Sequence, residues 1–276
     1  MRPLVLGEDS PVVDKEHPPG VAGFSCYSED ALLFGIVYYA EGRRNPTAVF
    51  CHGFPGMEKN YDLAHILRQA GFNVVIFSYR GAWGSHGSFS FSGVDADVLQ
   101  VVSCVREGRL PYAARFDPDR LVLIGHSMGA FAVLRAGARM REIRDVALLA
   151  VWNIGCDAVS GDTDPHVKAR VDGILMGARS LSGTSRGALW NEMRSKADAF
   201  DLSRHVSSYG NRRVLMVGAE GDEATPPLAH HSPLCEALRR AGADLTEAML
   251  PGDHLFSATR FAVARILLKW LFEGGY

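Results

Sequence analysis

Short apolar runs alternate with amphipathic segments along most of this chain, a pattern that predicts strands separated by helices. Strands are expected over 21–27, 32–40, 47–51, 73–79, 121–125, 146–152, 213–218 and 245–250. The runs Val74-Val75-Ile76-Phe77 and Leu121-Val122-Leu123-Ile124 are apolar at every position, which suits strands covered on both faces of a parallel sheet. Only Ser28-Glu29-Asp30 separates the first two strands, so they read as an antiparallel hairpin.

Helical periodicity fills the gaps between strands. Val94, Val98, Val101, Val102 and Val105 share one stripe over 94–105, with Asp95 and Asp97 near the positive end of the helix dipole. Phe261, Ala264, Leu268 and Leu271 do the same over 257–272. Helices are also expected over 60–70 and over 227–241, the latter closed by Gly242. The order predicts an α/β fold, with a mostly parallel, doubly wound sheet of about eight strands and right-handed crossovers.

One stretch breaks the rhythm. About sixty residues separate the 146–152 and 213–218 strands, far more than an ordinary connection. Within them 167–178 and 188–200 read as helices, joined by the Gly/Ser-rich piece 180–187. Residues 155–205 are therefore expected to form a helical lid inserted within a single domain, 1–276. Ile174, Leu175, Met176, Leu189, Trp190 and Met193 give that lid an apolar content suited to covering a site at the sheet's C-terminal edge.

Composition narrows the partners. Nearly half of the 276 residues are hydrophobic (47%), enough for a large core. A net charge of -2, with Lys and Arg spread evenly, argues against nucleic acid as a partner. The five cysteines form no CxxC pair, so no zinc cluster is expected, and Cys51 and Cys104 lie in apolar runs that suit buried thiols in a reducing compartment. The segment 1–10 has no apolar core of leader length and no run reaches the length of a membrane span, so a cytoplasmic protein is expected.

Candidate chemistry sits at strand ends. Gly125-His126-Ser127-Met128-Gly129 follows a buried strand and opens the small-residue helix containing Ala130, Ala132 and Ala136. This is the context of a nucleophile elbow, in which a strained turn exposes the serine and flanking glycines avoid collision with the neighbouring chain. His52-Gly53-Phe54-Pro55-Gly56 follows the 47–51 strand. An oxyanion needs two N–H donors, and Phe54 and Met128 are placed to supply them, whereas Pro55 has no N–H. Asp222 follows the 213–218 strand and His254 the 245–250 strand. The order Ser127, Asp222, His254 gives nucleophile, acid and base. Three carboxylates compete for the acid role: Glu220, Asp253 beside His254, and Asp157 after the preceding strand. His126 reads as structural, and His230-His231 as lacking a chemical duty. Asp162, Asp164, His166 and Asp172 are too irregularly spaced for a metal site and suit a solvated loop. His86 and Trp83 fall on a loop near the site's edge.

With those residues in place, nearly the whole chain resembles the α/β-hydrolase superfamily. Gly71-Phe72-Asn73, Ser78-Tyr79-Arg80-Gly81, Gly84-Ser85 and Gly87 resemble a G-[FY]-x-V…D-x-R-G-x-G-x-S-x-G stretch of esterases, monoacylglycerol-lipase-like enzymes and serine peptidases. Ser78 stands where many members carry aspartate, and Ala82-Trp83 widens the spacing. The form YRGAWGSHG is closest to prolyl-oligopeptidase and acylaminoacyl-peptidase members, whose larger forms carry a β-propeller with no counterpart in this length. The resemblance implies a serine hydrolase that needs no cofactor or metal and cleaves a small ester, thioester or short peptide through an acyl-enzyme. An acyltransferase or an acylaminoacyl-type peptidase would use the same residues, and a non-catalytic ligand-binding member of the fold is the rival from another class.

Overall fold

The computed structural model describes residues 11–276, so the segment read above for a leader, 1–10, lies outside the described residues. β1 (Gly20–Ser28) and β2 (Ala31–Tyr39) form the expected hairpin, with Ser28 opposite Ala31. β2 then pairs antiparallel with β4 (Asn73–Phe77). β4, β3 (Asn45–Cys51), β5 (Phe116–His126), β6 (Asp145–Leu149), β7 (Arg213–Ala219) and β8 (Asp244–Leu250) run parallel to one another. The sheet has the order β1-β2-β4-β3-β5-β6-β7-β8. Every residue of β4 and β6 is buried, as their unbroken apolar runs require.

Helices cover both faces. α2 (Val94–Arg106), α3 (Met128–Arg139) and α8 (Pro227–Arg240) pack on one side with the larger apolar cluster. α1 (Tyr61–Gln69) and α9 (Arg260–Glu273) pack on the other. Strand boundaries move where the chain bends. β5 begins at Phe116, opposite Asn45, and a bulge between Asn45 and Thr47 then resets the register. β6 ends at Leu149 because Ala150 turns the chain out at φ 44°.

The insertion supplies α4 (Ile154–Ser160), α5 (Pro165–Leu175), α6 (Arg186–Ser195) and α7 (Ala197–Phe200). The predicted 188–200 helix breaks at Lys196, whose φ of -123° and ψ of 20° are not helical. The insertion is stitched to the loop after β4. The Ser182 N–H donates to the Gly81 carbonyl at 2.7 Å, and the Glu192 carboxylate accepts from the Phe91 and Ser92 N–H groups at 2.9 and 2.8 Å. Val171, Leu175, Leu189, Trp190 and Met193 join the same apolar cluster as α2 and α3.

Trp190 packs within the insertion. Its ring lies where a side chain on Gly161 would collide, and its Nε1 donates to Asp172 Oδ1 at 2.8 Å. Trp190→Ala should therefore cost about 3–5 kcal/mol of stability, visible as a lower thermal midpoint. An unmoved midpoint would show that the ring is not part of the packed interior.

Candidate active site

Ser127 stands between β5 and α3 with φ 59° and ψ -121°, a strained conformation for a residue with a side chain. The strain is enforced by close packing. A Cβ on Gly125 would lie 2.3 Å from the Gly129 carbonyl oxygen, and one on Gly129 would lie 2.0 Å from that of Cys51. Only glycine fits at either position, so β5, α3 and the end of β3 meet tightly beneath the serine. The Ser127 N–H donates to the Leu149 carbonyl at 2.9 Å, and its own carbonyl accepts from Ala130 and Trp152.

The other predicted residues gather at the same sheet edge. His254 Nδ1 lies 2.7 Å from Asp222 Oδ2. Burial alone would raise the Asp222 carboxyl, but its hydrogen bond and charge pairing with His254, with help from Thr225, hold it below the ordinary 3.8. Thr225 donates its N–H to Oδ1 at 2.7 Å and its hydroxyl to Oδ2 at 2.8 Å. Two backbone bonds extend the β7–β8 ladder past the strand ends: Glu220 N–H to Leu250 O at 2.8 Å and Gly221 N–H to Gly252 O at 2.9 Å. The loops that carry Asp222 and His254 are thereby held side by side. The competing carboxylates are engaged elsewhere. Asp157 is buried and takes both guanidinium nitrogens of Arg170, the Trp152 indole N–H and His230. Asp253 caps its own turn through the Leu255 and Ser257 N–H groups, and Glu220 is exposed.

Among the described residues, Ser127 Oγ and His254 Nε2 share no hydrogen bond; the link between their loops runs through His126. Its Nε2 donates to the His254 carbonyl at 2.8 Å, and the two rings are 5.0 Å apart. The sequence suggested only a structural histidine here, because its partner lies 128 positions away. Thr225 also escaped the sequence reading, although its spacing of three from Asp222 is that of a side chain closing a turn.

His52 performs a comparable task on the opposite loop. Its Nδ1 donates to the Gly53 carbonyl at 2.7 Å. In a trans peptide the N–H points opposite to the C=O, so the Phe54 N–H faces away from His52. Gly53 itself sits against Ser127, where a Cβ would lie 3.0 Å from that of the serine. Met128 is the first residue of α3, so its N–H has no partner within the helix. The Phe54 ring packs with Phe89, Phe91 and Trp152 at centroid distances of 5.6, 5.7 and 6.4 Å, and Gly177 of the insertion closes over Phe54 and Pro55.

Burial pushes both His52 and His126 from 6.5 down to about 3, so each is neutral in the fold. An unfolded chain would protonate them near 6.5, so their contribution is complete above that pH and is lost as pH falls toward 3. Each histidine contributes a slope of about 1.4 kcal/mol per pH unit. These two histidines should together lower the unfolding free energy from urea titration by about 4 kcal/mol between pH 7 and pH 5, and His126→Gln should remove about half of their share. Equal stability at the two pH values would rule this out.

One grouping among the described residues has metal-ligand spacing, His231, Cys235 and Glu247. Glu247 is already paired with His231 and Arg239, and burial pushes the Cys235 thiol up to about 12, which opposes metal binding. Asp162 and Asp172 pair with Arg194 and Lys168, and Asp164 caps α5. All five cysteines are free. No helix among the described residues is long and apolar enough to cross a membrane.

A family model described as the alpha/beta hydrolase family matches residues 48–266. Protein YfhR of Salmonella typhimurium is 34% identical over 186 residues, 65% of this chain and 55% of that protein. YfhR of Escherichia coli K12 is 34% identical over 89 residues, 32% of this chain and 30% of that protein, so the matches span from under a third to just over half of these relatives. Among solved structures, Est1E from Butyrivibrio proteoclasticus superposes with TM-score 0.66 at 17% identity, covering 91% of this chain and 98% of that one. The Pyrococcus furiosus esterase Pf2001 gives 0.66 at 16%, covering 98% of each. The Pyrococcus horikoshii acylaminoacyl peptidase gives 0.69 at 18%, covering 91% of this chain and 41% of that one.

Proposed function

Because this chain belongs to the alpha/beta hydrolase family, we propose that it is a serine hydrolase that cleaves a carboxylic ester through an acyl-enzyme on Ser127. The observation that carries this reading is the 2.7 Å contact of His254 Nδ1 with a buried Asp222, at the same sheet edge as a serine held in a strained turn.

The chemistry follows from the placement. Asp222 accepts the Nδ1 proton of His254 and leaves Nε2 free to receive the Ser127 proton. Ser127 Oγ then attacks the carbonyl carbon. The negative charge that develops on the carbonyl oxygen is met by the Phe54 and Met128 N–H groups. His254 returns the proton to the departing alkoxide, and water, deprotonated by the same imidazole, releases the acid and restores the serine. The strain at Ser127 and the fixed peptide at Gly53 mean that neither donor must reorganise when charge develops.

A fluorophosphonate should add its mass to the peptide containing Ser127, and p-nitrophenyl acetate should be turned over. If the intact protein takes no adduct and releases no p-nitrophenol, the reading fails and the fold serves binding alone.

A further inference from the structure

We propose that the cleft beside Lys59 binds a carboxylate carried by the acyl group of the substrate. This rests on the reading of Ser127 as nucleophile. The cleft holds about 190 Å³ and is walled by Phe34, Tyr61, Phe77, Ser78 and Trp83 around the lysine.

The charge balance is what sets this cleft apart. Lys59 Nζ donates to Ser78 Oγ at 2.8 Å, and among the described residues it has no ion pair. An ammonium has three donors, so two remain for a ligand. Burial lowers the Lys59 pKa, and an anion in the cleft would offset that burial cost. Residue 78 is a neutral serine, so the side chain that Lys59 touches does not supply the anion. A single ammonium among aromatic walls suits a singly charged carboxylate on an organic chain.

The cleft's position assigns it to the acyl side. Trp83, held at φ 46° and 43% exposed, donates its Nε1 to the Pro55 carbonyl at 2.6 Å, so one wall is fastened to the loop that carries Phe54. Ser78 follows β4, and Ser127 follows β5, with β3 between them. Two strand spacings separate them, roughly 10 Å. His254 must protonate the leaving group, and it follows β8 on the other side of β5. The leaving group therefore lies toward β8 and the acyl chain toward β4 and Lys59.

The test compares p-nitrophenyl monoesters of linear dicarboxylic acids of increasing length with methyl-terminated esters of equal length. At the length that spans the gap, kcat/KM should favour the carboxylated ester by about tenfold, the scale of one charged hydrogen bond. Lys59→Gln should bring that ratio to about one, and so should Ser78→Asp, which places a carboxylate of the protein's own beside Nζ. A wild-type ratio at or below one at every length, or a ratio that survives Lys59→Gln, overturns the proposal. If no ester of either kind is turned over, it is the nucleophile assignment that fails. The cleft is then judged by titrating Ser127→Ala with a linear dicarboxylic acid and reading tryptophan emission. A change lost in Lys59→Gln and in Trp83→Phe backgrounds supports the cleft, and no change overturns it. Equal competition by inorganic phosphate would make it a general anion site and overturn the carboxylate assignment.

Discussion

Ser127→Ala should lower kcat on an activated ester by a factor on the order of 10⁴–10⁶. On the proposed reading the serine forms the covalent bond, so removing its oxygen would leave only the oxyanion donors and substrate binding. The fold should survive. Ser127 Oγ makes no hydrogen bond among the described residues, and alanine meets no greater backbone strain at φ 59° than serine does. The Gly125 and Gly129 contacts that force the elbow do not involve the Ser127 side chain. The measurement is burst and steady-state kinetics with p-nitrophenyl acetate, with unfolding followed in parallel. Residual turnover within tenfold of wild type, in a folded protein, would place the nucleophile elsewhere.

Asp222→Asn should lower kcat by roughly 10³–10⁴. The carboxylate now accepts from His254 Nδ1, whereas an amide nitrogen in that place would donate to it. The imidazole would then carry its proton on Nε2 and could not receive one from Ser127. Thr225 donates to both carboxylate oxygens, so an asparagine would tend to keep its oxygen toward one of these donors and stay in place. Asp157→Asn serves as the contrast. Asp157 balances the buried face of Arg170, which also donates to the Ala224 carbonyl in the acid loop. Weakening that pair should cost about 3–5 kcal/mol of stability without changing the tautomer of His254. A folded Asp157→Asn protein without activity, alongside an active Asp222→Asn protein, would move the acid assignment to Asp157 in α4, after β6.

Much of the site was legible because its signals are local. An unbroken apolar run identifies a strand buried on both faces, and the spacing of Gly125, Ser127 and Gly129 after such a run marks the turn, although the packing that enforces it comes from Cys51 at the end of β3. The ends of strands could be ranked as sites because side chains there face the open edge of a parallel sheet. Boundaries were less legible where a single residue turned the chain, as Ala150 does at the end of β6 and Lys196 between α6 and α7. Periodicity averages over several residues and does not register one unusual φ. Trp190 shows a different gap: its apolar ring suited a substrate wall as well as a packed interior, and only its contacts with Gly161 and Asp172 separate the two.

The sequence by itself determined the fold class, the alternation of strands and helices, the glycine-serine-glycine turn, and a short set of carboxylates that could serve as acid. Those depend on spacing of a few residues, which the chain carries wherever it folds. The tertiary structure decided which carboxylate meets His254, that His126 rather than Ser127 bridges to the base loop, that His52 turns the Gly53 peptide, and that Lys59 has a hydroxyl where a counter-charge would be expected. Each of these is a contact of a few ångströms between side chains and backbone whose alternatives look alike in sequence. They are settled only when β3, β5, β7 and β8 bring their C-terminal ends to one edge.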